Sequence, residues 1–358
     1  MKKICCSILM LFCLPFPALA DETDHSSLFE VLQTIDKQYI STFDAADLTY
    51  HGLQALHDLD TDISITKGSD RFYMYHHRQI YKIFPFPDDN RNWEEWSRIV
   101  SQIIDSAKKI SQTISLKDFE VPDKISKKMV ARLDPYSHFY SRFDYQDNEA
   151  ENSIYTLYSE RLIEGNILYL RVRTFNTQTA EQVKQSFNNH PNIKGVILDL
   201  RGNSGGILNE ALKVCDMLTD NEIITYTAGR DNRNMHYYTS NEGSLYDGPL
   251  VILTDGDTAS AAEVIAGGLQ EQSRAKIIGT QTFGKGTIQN VIPLQNGGKL
   301  VLTTEQFFTP SGKIIHAHGI QPDICVTEVK DGICAPEPRL RMDEDIEQAV
   351  NLLKNQIR

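Results

Sequence analysis

Three side chains between residues 258 and 289 have the chemical types of a serine hydrolase that uses lysine as its base. Ser260 lies among small residues, Lys285 lies between two glycines, and Gln289 follows the lysine by four positions. A serine hydroxyl becomes a nucleophile when a neighbouring base takes its proton, and lysine does so only in its neutral form. Burial beside apolar groups lowers a lysine pKa and favours that form.

Each of these residues also has an ordinary structural interpretation. Ser260, or the threonine two residues before it, could cap the helix predicted after a buried strand, which is the commonest role of such residues. Lys285 could be a solvated lysine in a turn. In a fully extended segment Lys285 and Gln289 would lie roughly 13 Å apart, so the flanking glycines would have to bend the chain. The pattern alone therefore leaves catalysis and capping open.

A second serine lies in a pattern typical of a nucleophile at a strand-to-helix turn. Ser204 is the central residue of a G-x-S-x-G pattern at 202–206, between a predicted strand and a predicted helix. On this interpretation Asp255 would be the acid, and His316 or His318 the base, of an esterase. The alternative is that the glycines make a tight turn and supply backbone N–H groups, with Ser204 taking no part.

Alternating strands and helices are predicted in the second half of the chain. Short apolar runs separated by helical patterns indicate a mostly parallel sheet with both faces covered, because crossover helices pack on the faces of such a sheet. The predicted strands are 167–172, 195–200, 250–254 and 275–279, and the predicted helices are 179–188, 208–218 and 259–270. An amphipathic helix is predicted near the C-terminus.

The first half of the chain is predicted to be mainly helical. Apolar residues at helical spacing predict two helices within 27–58, a helix over 93–107 and a short helix ending near Leu133. Alternating residues and turn chemistry predict a hairpin over 62–86.

The N-terminus has the organisation of a cleavable signal peptide. Lys2 and Lys3 precede an apolar run over 4–17, and Ala18-Leu19-Ala20 forms a signal-peptidase site. The apolar run is shorter than the roughly 20 residues that span a bilayer, and no later segment is long and apolar enough. The sequence therefore predicts a periplasmic or secreted mature protein that begins at Asp21.

The net charge, the cysteines and the histidines limit which partners, disulfides and metal sites are expected. The formal net charge of −12 disfavours nucleic acid and anionic membrane surfaces. Disulfides can form outside the cytoplasm, and Cys325 and Cys334 are close enough in sequence to pair around a turn, whereas Cys215 lies on a helical apolar face. His316 and His318 lack an evident third ligand, so we expect no metal and no cofactor.

Several motifs, taken in order and spacing, resemble those of the C-terminal processing peptidases, also called tail-specific proteases. The resemblance implies Ser260 as nucleophile, Lys285 as general base and Gln289 as the residue that orients the lysine. It also implies an α/β protease core of the crotonase/ClpP type. The motifs lie at 133–137, 199–206, 258–263, 274–275, 282–286, 289, 309–312 and 319–324.

The resemblance further implies an oxyanion hole made by backbone N–H groups. These would come from Ala261 and from a glycine of the pair Gly205 and Gly206. The position of Ser204 is often proline in the family, which disfavours the esterase interpretation.

The resemblance also suggests how the chain is divided. Family members usually carry a PDZ domain of roughly 70–90 residues where this chain has a short interval, so we expect that domain to be missing. PDZ domains bind free C-termini by β-augmentation, and the sequence does not show what replaces that function. The predicted regions are a signal peptide at 1–20, a helical region with a hairpin insertion at 21–140, a linker at 141–165, the core at 166–328 and a C-terminal loop and helix at 329–358.

The expected protein is an exported serine endopeptidase that cuts exported proteins or peptides, near their C-termini, without a cofactor. If Lys285 is the base, activity should rise with pH as the lysine loses its proton. Two alternatives stay open: a catalytically idle binding or scaffold protein on the same fold, and the Ser204 esterase. The sequence is also compatible with an adaptor protein and with a homo-oligomer.

Overall fold

The computed structural model describes residues 20–144, 159–335 and 344–357. The chain forms two compact units and passes between them more than once. One unit takes up Met1–Asp36, Phe43–Arg142 and Pro293–Leu300, and the other takes up Lys37–Thr42, Phe143–Ile292 and Val301–Arg358. The predicted signal peptide, apart from its last residue, and most of the predicted linker lie outside the described residues.

Helices and a small antiparallel sheet form the first unit. Asn92 begins the longest helix after α1 by accepting the N–H of Glu95 at 3.1 Å, as helix caps do. The helices predicted from apolar spacing correspond to α1, α2, α3 and α5. The described helices are α1 (Ala20–Gln38), α2 (Ala45–Leu59), α3 (Trp93–Ile110), α4 (Gln112–Leu116) and α5 (Val121–Ala131), and the strands are β1 (Ile63–Lys67), β2 (Arg71–His76), β3 (Gln79–Pro85) and β4 (His138–Tyr140).

The segment predicted as a hairpin over 62–86 is a sheet of three strands in the order β1-β2-β3. The prediction was wrong in strand number because it took the aromatic run after Arg71 as one strand. The chain instead reverses at His77 and Arg78, whose φ angles are 48° and 65°, a tight turn that usually takes asparagine or glycine. Trp96 of α3 packs against one face of this sheet, with its ring centroid 6.1 Å from that of Phe72.

The second unit contains the alternating strands and helices that the apolar runs predict. Its described helices are α6 (Thr179–Asn189), α7 (Leu208–Asp216), α8 (Ala261–Glu271) and α9 (Glu344–Gln356). The remaining strands of the chain are β5 (Ser159–Ile163), β6 (Ile167–Arg171), β7 (Gly195–Asp199), β8 (Ile223–Ala228), β9 (His236–Thr239), β10 (Leu250–Thr254), β11 (Lys276–Gly279), β12 (Thr287–Pro293), β13 (Lys299–Phe308), β14 (Ile324–Cys325), β15 (Val329–Lys330) and β16 (Ile333–Cys334).

The main sheet of this unit has the order β14-β11-β10-β7-β6-β5 among the described residues. Its neighbouring strands are parallel, except that β5 runs antiparallel to β6. Leu198 and Ile252 belong to a core shared with helices α6, α7 and α8, and Val251 on the other face packs in a core with Leu353 of α9. Both faces are therefore covered, which explains why the strands read as continuous apolar runs. The α/β prediction is confirmed.

A second sheet, which the sequence did not predict, contains strands in the order β12-β13-β8-β9. Strand β8 runs antiparallel to both β9 and β13. These strands interleave buried and partly exposed residues, and threonines interrupt their apolar residues. They were missed because they lack the continuous apolar runs that marked the parallel strands. Among the described residues, every helix is too short or too polar to cross a bilayer.

Cys325 and Cys334 form a disulfide, as their spacing allowed, and Cys215 is a buried free thiol. The bridge joins β14 to β16, and the carbonyl of Cys334 accepts the N–H of Gln281 at 3.1 Å. Gln281 opens the loop that leads to Lys285. The disulfide-bonded Cys334 therefore anchors the first residue of this loop.

Reducing the disulfide, or replacing Cys325 and Cys334 by serine, should lower the free energy of unfolding by roughly 2.5 kcal/mol. A cross-link over a loop of this length lowers the conformational entropy of the unfolded chain, and the loss of that constraint costs about this free energy at room temperature. Urea titrations with and without dithiothreitol measure the change. The double variant is the control, since its midpoint should not respond to the reductant. An unchanged wild-type midpoint after reduction would contradict the prediction.

Candidate active site

Ser260 lies at a sharp turn between β10 and α8 and has a strained backbone. Its φ is 55° and its ψ is −123°, a combination that residues with a side chain rarely adopt and that costs on the order of 1–3 kcal/mol. The positive end of the α8 dipole lies at the same point, where it favours developing negative charge. A strained serine between a strand and a helix is the geometry of a nucleophile elbow, which the sequence pattern had suggested for Ser204.

The glycine-rich turn after β7 lies directly against Ser260. A Cβ atom at Gly205 would lie 2.8 Å from Ser260 Cβ and 3.1 Å from the Ala261 nitrogen, so a side chain has no room there. Asn203 holds the two turns together, because its backbone carbonyl accepts the N–H of Ala259 at 2.8 Å. The structure thus brings together the serine segment and the glycine pair that the sequence analysis selected.

Two backbone N–H groups at this junction are unused. The N–H of Gly205 donates to the Asn203 side-chain oxygen at 2.8 Å. In the part of the chain that the structure describes, the N–H groups of Gly206 and Ala261 donate to no protein acceptor. Of the two glycines, Gly206 is therefore the one with a donor available for a bound oxyanion.

Replacing Gly205 by alanine should lower kcat/KM for peptide cleavage by about a hundredfold or more, the usual effect of losing an oxyanion donor or its alignment. The added Cβ would push against Ser260 and Ala261. The matched control is Gly243→Ala, since Gly243 has nearly the same φ, 101° against 102°, but nothing within 4 Å of its Cβ position. Gly205→Ala should also lose more stability than Gly243→Ala in urea titrations, because only the Cβ at position 205 meets other atoms. Equal activities of the two folded variants would refute the expectation.

Glu263, in the first turn of α8, binds both segments of the site and is fully buried. Its Oε2 accepts the N–H of Ser260 at 2.9 Å and the N–H of Lys285 at 2.8 Å. Its Oε1 accepts the N–H of Gly284 at 2.7 Å and the Thr282 hydroxyl at 2.5 Å. Burial raises the pKa of this carboxyl, and the four hydrogen bonds act in the opposite direction.

Sequence analysis did not identify Glu263 as a site residue. A glutamate three residues after a serine is the pattern of a capping box, and the bond to the Ser260 N–H fulfils that role. The pattern gives no sign that the same carboxylate also binds a loop 22 residues away.

Lys285 is half-buried and lies in the loop between β11 and β12. The glycines on either side shape this loop, because it packs closely on residues 315–319. A Cβ at Gly286 would lie 2.4 Å from the nitrogen of His316, and Gly284 has a φ of 87°. The two glycines therefore let the backbone on both sides of Lys285 pack closely against residues 315–319.

Gln289 lies on β12 and is held by two threonines. Its side-chain nitrogen donates to the hydroxyls of Thr287 at 3.0 Å and Thr303 at 3.1 Å. Because both bonds use the amide nitrogen, the amide oxygen is the atom that could accept a hydrogen bond from a lysine ammonium.

The residues named in the esterase interpretation make other contacts in the structure. Ser204 is exposed in the glycine-rich turn, and its φ is not among the positive values. Asp255 accepts the N–H of Gly202 at 2.9 Å and the Thr258 hydroxyl at 3.1 Å, so it fixes the turn that precedes Ser260. The His318 ring contacts the backbone carbonyl of His316 at 2.8 Å.

A buried cluster of charged groups lies at the end of β7. Arg201 binds Asp199 through Nε at 2.8 Å and Nη2 at 2.6 Å. Its Nη1 donates to Asp345 of α9 at 3.1 Å. The hydroxyl of Tyr169 donates to Asp199 at 2.6 Å, and burial, followed by the charge of Asp199, raises the pKa of Tyr169 to about 12. This cluster ties α9 to the strand that carries the glycine-rich turn.

Comparison with known proteins defines the class of the chain. Residues 166–326 match the family model of Peptidase family S41. A carboxy-terminal-processing protease of Bartonella bacilliformis is 40% identical over 173 residues, which are 46% of this chain and 40% of that protein. A carboxy-terminal processing protease of Bacillus subtilis is 30% identical over 226 residues, which are 60% of this chain and 46% of that protein.

A solved structure shares the fold of the chain. A solved structure described as a photosystem II D1 C-terminal processing protease superimposes with a TM-score of 0.57 and 18% identity, covering 84% of this chain and 92% of that one. Residues 166–326 thus form an S41 peptidase domain, and the chain is similar to carboxy-terminal processing proteases. It spans less than half the length of the two curated relatives named here.

Proposed function

We propose that this chain is a serine endopeptidase in which Ser260 is the nucleophile and Lys285 the general base. The observation that carries the proposal is the buried carboxylate of Glu263, which binds the backbone N–H of both residues at 2.9 and 2.8 Å. A helix cap needs only the first of these bonds. The second places the loop that carries the lysine beside the strained serine, a contact that capping does not require.

The site supplies each step of peptide hydrolysis. Ser260 Oγ attacks the peptide carbonyl carbon while Lys285 Nζ takes its proton. The oxyanion that forms accepts the N–H groups of Ala261 and Gly206. Collapse breaks the C–N bond, and the lysine returns the proton to the leaving amine. Lys285 then activates a water that cleaves the acyl-enzyme and regenerates Ser260.

Gln289 completes the proposed site by orienting the lysine. The two threonine bonds fix its amide nitrogen, so its oxygen is presented as an acceptor.

We also propose that the core is of the crotonase/ClpP type and that the protein acts outside the cytoplasm on exported proteins or peptides, near their C-termini. The covered parallel sheet with its serine at the start of α8 supports the first point. The Cys325–Cys334 disulfide fits an oxidising compartment, and the names of the relatives support cleavage near C-termini.

Casein cleavage by the protein and by Ser260→Ala and Ser204→Ala variants tests the assignment. Ser260→Ala should lose activity by a factor of about 10⁴ or more, as other serine peptidases do without their nucleophile, and Ser204→Ala should keep wild-type activity. Both variants should unfold at the wild-type urea midpoint. Loss in Ser204→Ala alone would support the esterase-type elbow, and three inactive proteins would support a scaffold role.

A further inference from the structure

The three-stranded sheet of the first unit has an edge strand, β3, whose apolar side chains are exposed to solvent. Among the described residues β3 pairs with β2 and with no other strand. Ile80, Tyr81 and Ile83 of β3 expose 56%, 44% and 44% of their surface. An edge strand presents unpaired backbone N–H and C=O groups along its outer side and can pair with another extended chain.

The charge of this edge is opposite to that of the protein. Residues 71–87 contain three lysine or arginine residues, two histidines and no acid, in a chain of net charge −12. Arg71 pairs with Asp70 at 2.6 Å. Within the described residues neither Arg78 nor Lys82 pairs with a carboxylate. Lys82 lies 5.0 Å from the Phe84 ring centroid and donates to the Ser106 hydroxyl at 3.4 Å. Two exposed cations therefore flank the apolar residues of β3.

The turn before β3 places one of these cations at a conformational cost. Arg78 has a φ of 65°, and a left-handed backbone costs roughly 1–2 kcal/mol for a residue with a side chain. Glycine or asparagine would make the same turn with less strain. The arginine at this position keeps a positive charge at the start of the exposed edge.

We propose that β3 binds an extended acidic segment of another polypeptide, which adds to the sheet as a further strand. Its backbone would pair with the outer side of β3, and its acidic side chains would lie near Arg78 and Lys82. The strand has seven residues and is roughly 23 Å long, which suits a bound segment of similar length. The binding does not depend on the proposed catalysis.

Charge argues against two other occupants of the same edge. If β3 paired antiparallel with β3 of a second copy along its whole length, Lys82, the central residue of the strand, would face its own equivalent. Like charges directly opposite each other destabilise a strand pair. A nucleic acid needs several phosphate contacts for stable binding, and here two unpaired cations lie on a strongly acidic protein.

Fluorescence anisotropy with a labelled ten-residue peptide that alternates glutamate with valine or tyrosine tests the proposal. The protein carries Ser260→Ala so that the peptide is not cut. We expect saturable binding that weakens about tenfold or more in Arg78→Glu with Lys82→Glu, because two attractions become repulsions. The same variant should gain affinity for a peptide with lysine in place of glutamate. The control is Lys109→Glu, an exposed lysine on α3, which should bind as the parent does.

Strand addition is separated from simple charge attraction by a peptide of the same sequence with N-methyl groups on alternate residues. This peptide keeps its charge but loses backbone donors, so its binding should fall about tenfold or more. Equal binding of both peptides overturns the proposal, and so does tighter binding of a ten-nucleotide single strand. Sedimentation of the protein alone gives a third overturning result, a dimer that is lost in Ile83→Lys while the urea midpoint is unchanged.

Discussion

Replacing Glu263 by glutamine lowers kcat/KM for peptide cleavage by roughly a hundredfold or more and leaves the fold intact. Glutamine has the same size, but it has one acceptor oxygen for the N–H groups of Ser260, Lys285 and Gly284, which the two carboxylate oxygens share, so at least one N–H loses its acceptor. A displacement of about 1 Å between reacting groups costs on the order of a hundredfold in rate. The free energy of unfolding should fall by about 1–3 kcal/mol, the cost of a buried N–H group that loses its acceptor.

The pH profile separates a positioning role from a general loss of stability. Burial raises the pKa of Glu263 above 4.5, so wild-type kcat should fall as the pH decreases through that raised value and protonation removes an acceptor. The glutamine variant should lack this acid limb. Because the folded-state pKa is raised, this carboxyl's contribution to stability is present below pH 4.5 and is lost as the pH rises through the raised value.

A control on the same helix makes the result specific. Glu271 also accepts a backbone N–H, from Ser311 at 2.8 Å, but it lies at the far end of α8. Glu271→Gln should lose stability and keep kcat/KM. If Glu263→Gln keeps wild-type kcat/KM and the acid limb, the carboxylate does not position the two residues proposed for catalysis.

The second large effect is expected from Arg201→Met, which should lower the free energy of unfolding by about 3–5 kcal/mol. The substitution leaves the carboxylates of Asp199 and Asp345 buried without their cation, and both are at most 1% exposed. Since Arg201 binds Asp345 of α9, amide exchange in α9 should accelerate more than in α6. Urea titration and hydrogen exchange measure the two effects.

Two further variants test the explanation by charge. Replacing Arg201, Asp199 and Asp345 together by apolar residues should recover much of the loss, because no buried charge then lacks a partner. Arg98→Met removes an exposed pair with Glu94 on α3 and should change the free energy of unfolding by less than about 1 kcal/mol. A similar loss in Arg98→Met and Arg201→Met would contradict the argument.

The parts of the fold that could be predicted from the sequence are those with an uninterrupted apolar pattern. Strand β10 is buried on both faces, so its five apolar and threonine residues stand out. Strand β13 contains buried and partly exposed residues in irregular order and has no such signal. The third strand of the small sheet was missed because His77 and Arg78 form a tight turn without glycine.

For the site, residue type and spacing made Ser260 and Lys285 candidates, and the family resemblance implied their roles and the glycine pair. Tertiary contacts decide how these residues are arranged. Glu263 was not predicted because its carboxylate caps α8 and also binds a loop that is distant in sequence. Only the capping role produces a recognisable sequence pattern. The sequence pattern placed the strained turn at Ser204, because glycines flank that residue. The structure places the strained backbone at Ser260, where Glu263 and the loop of Lys285 hold it.

The strained turn at Ser260 has a consequence for the lifetime of the protein among other proteases. A backbone held at a φ of 55° by contacts from a separate loop relaxes as soon as that loop detaches. Loss of the cutting geometry then precedes global unfolding. A molecule that begins to unfold would lose the geometry at Ser260 before its own chain could reach that serine. Intact molecules could still cleave it. Damaged molecules would thus be removed by intact neighbours and not digest themselves.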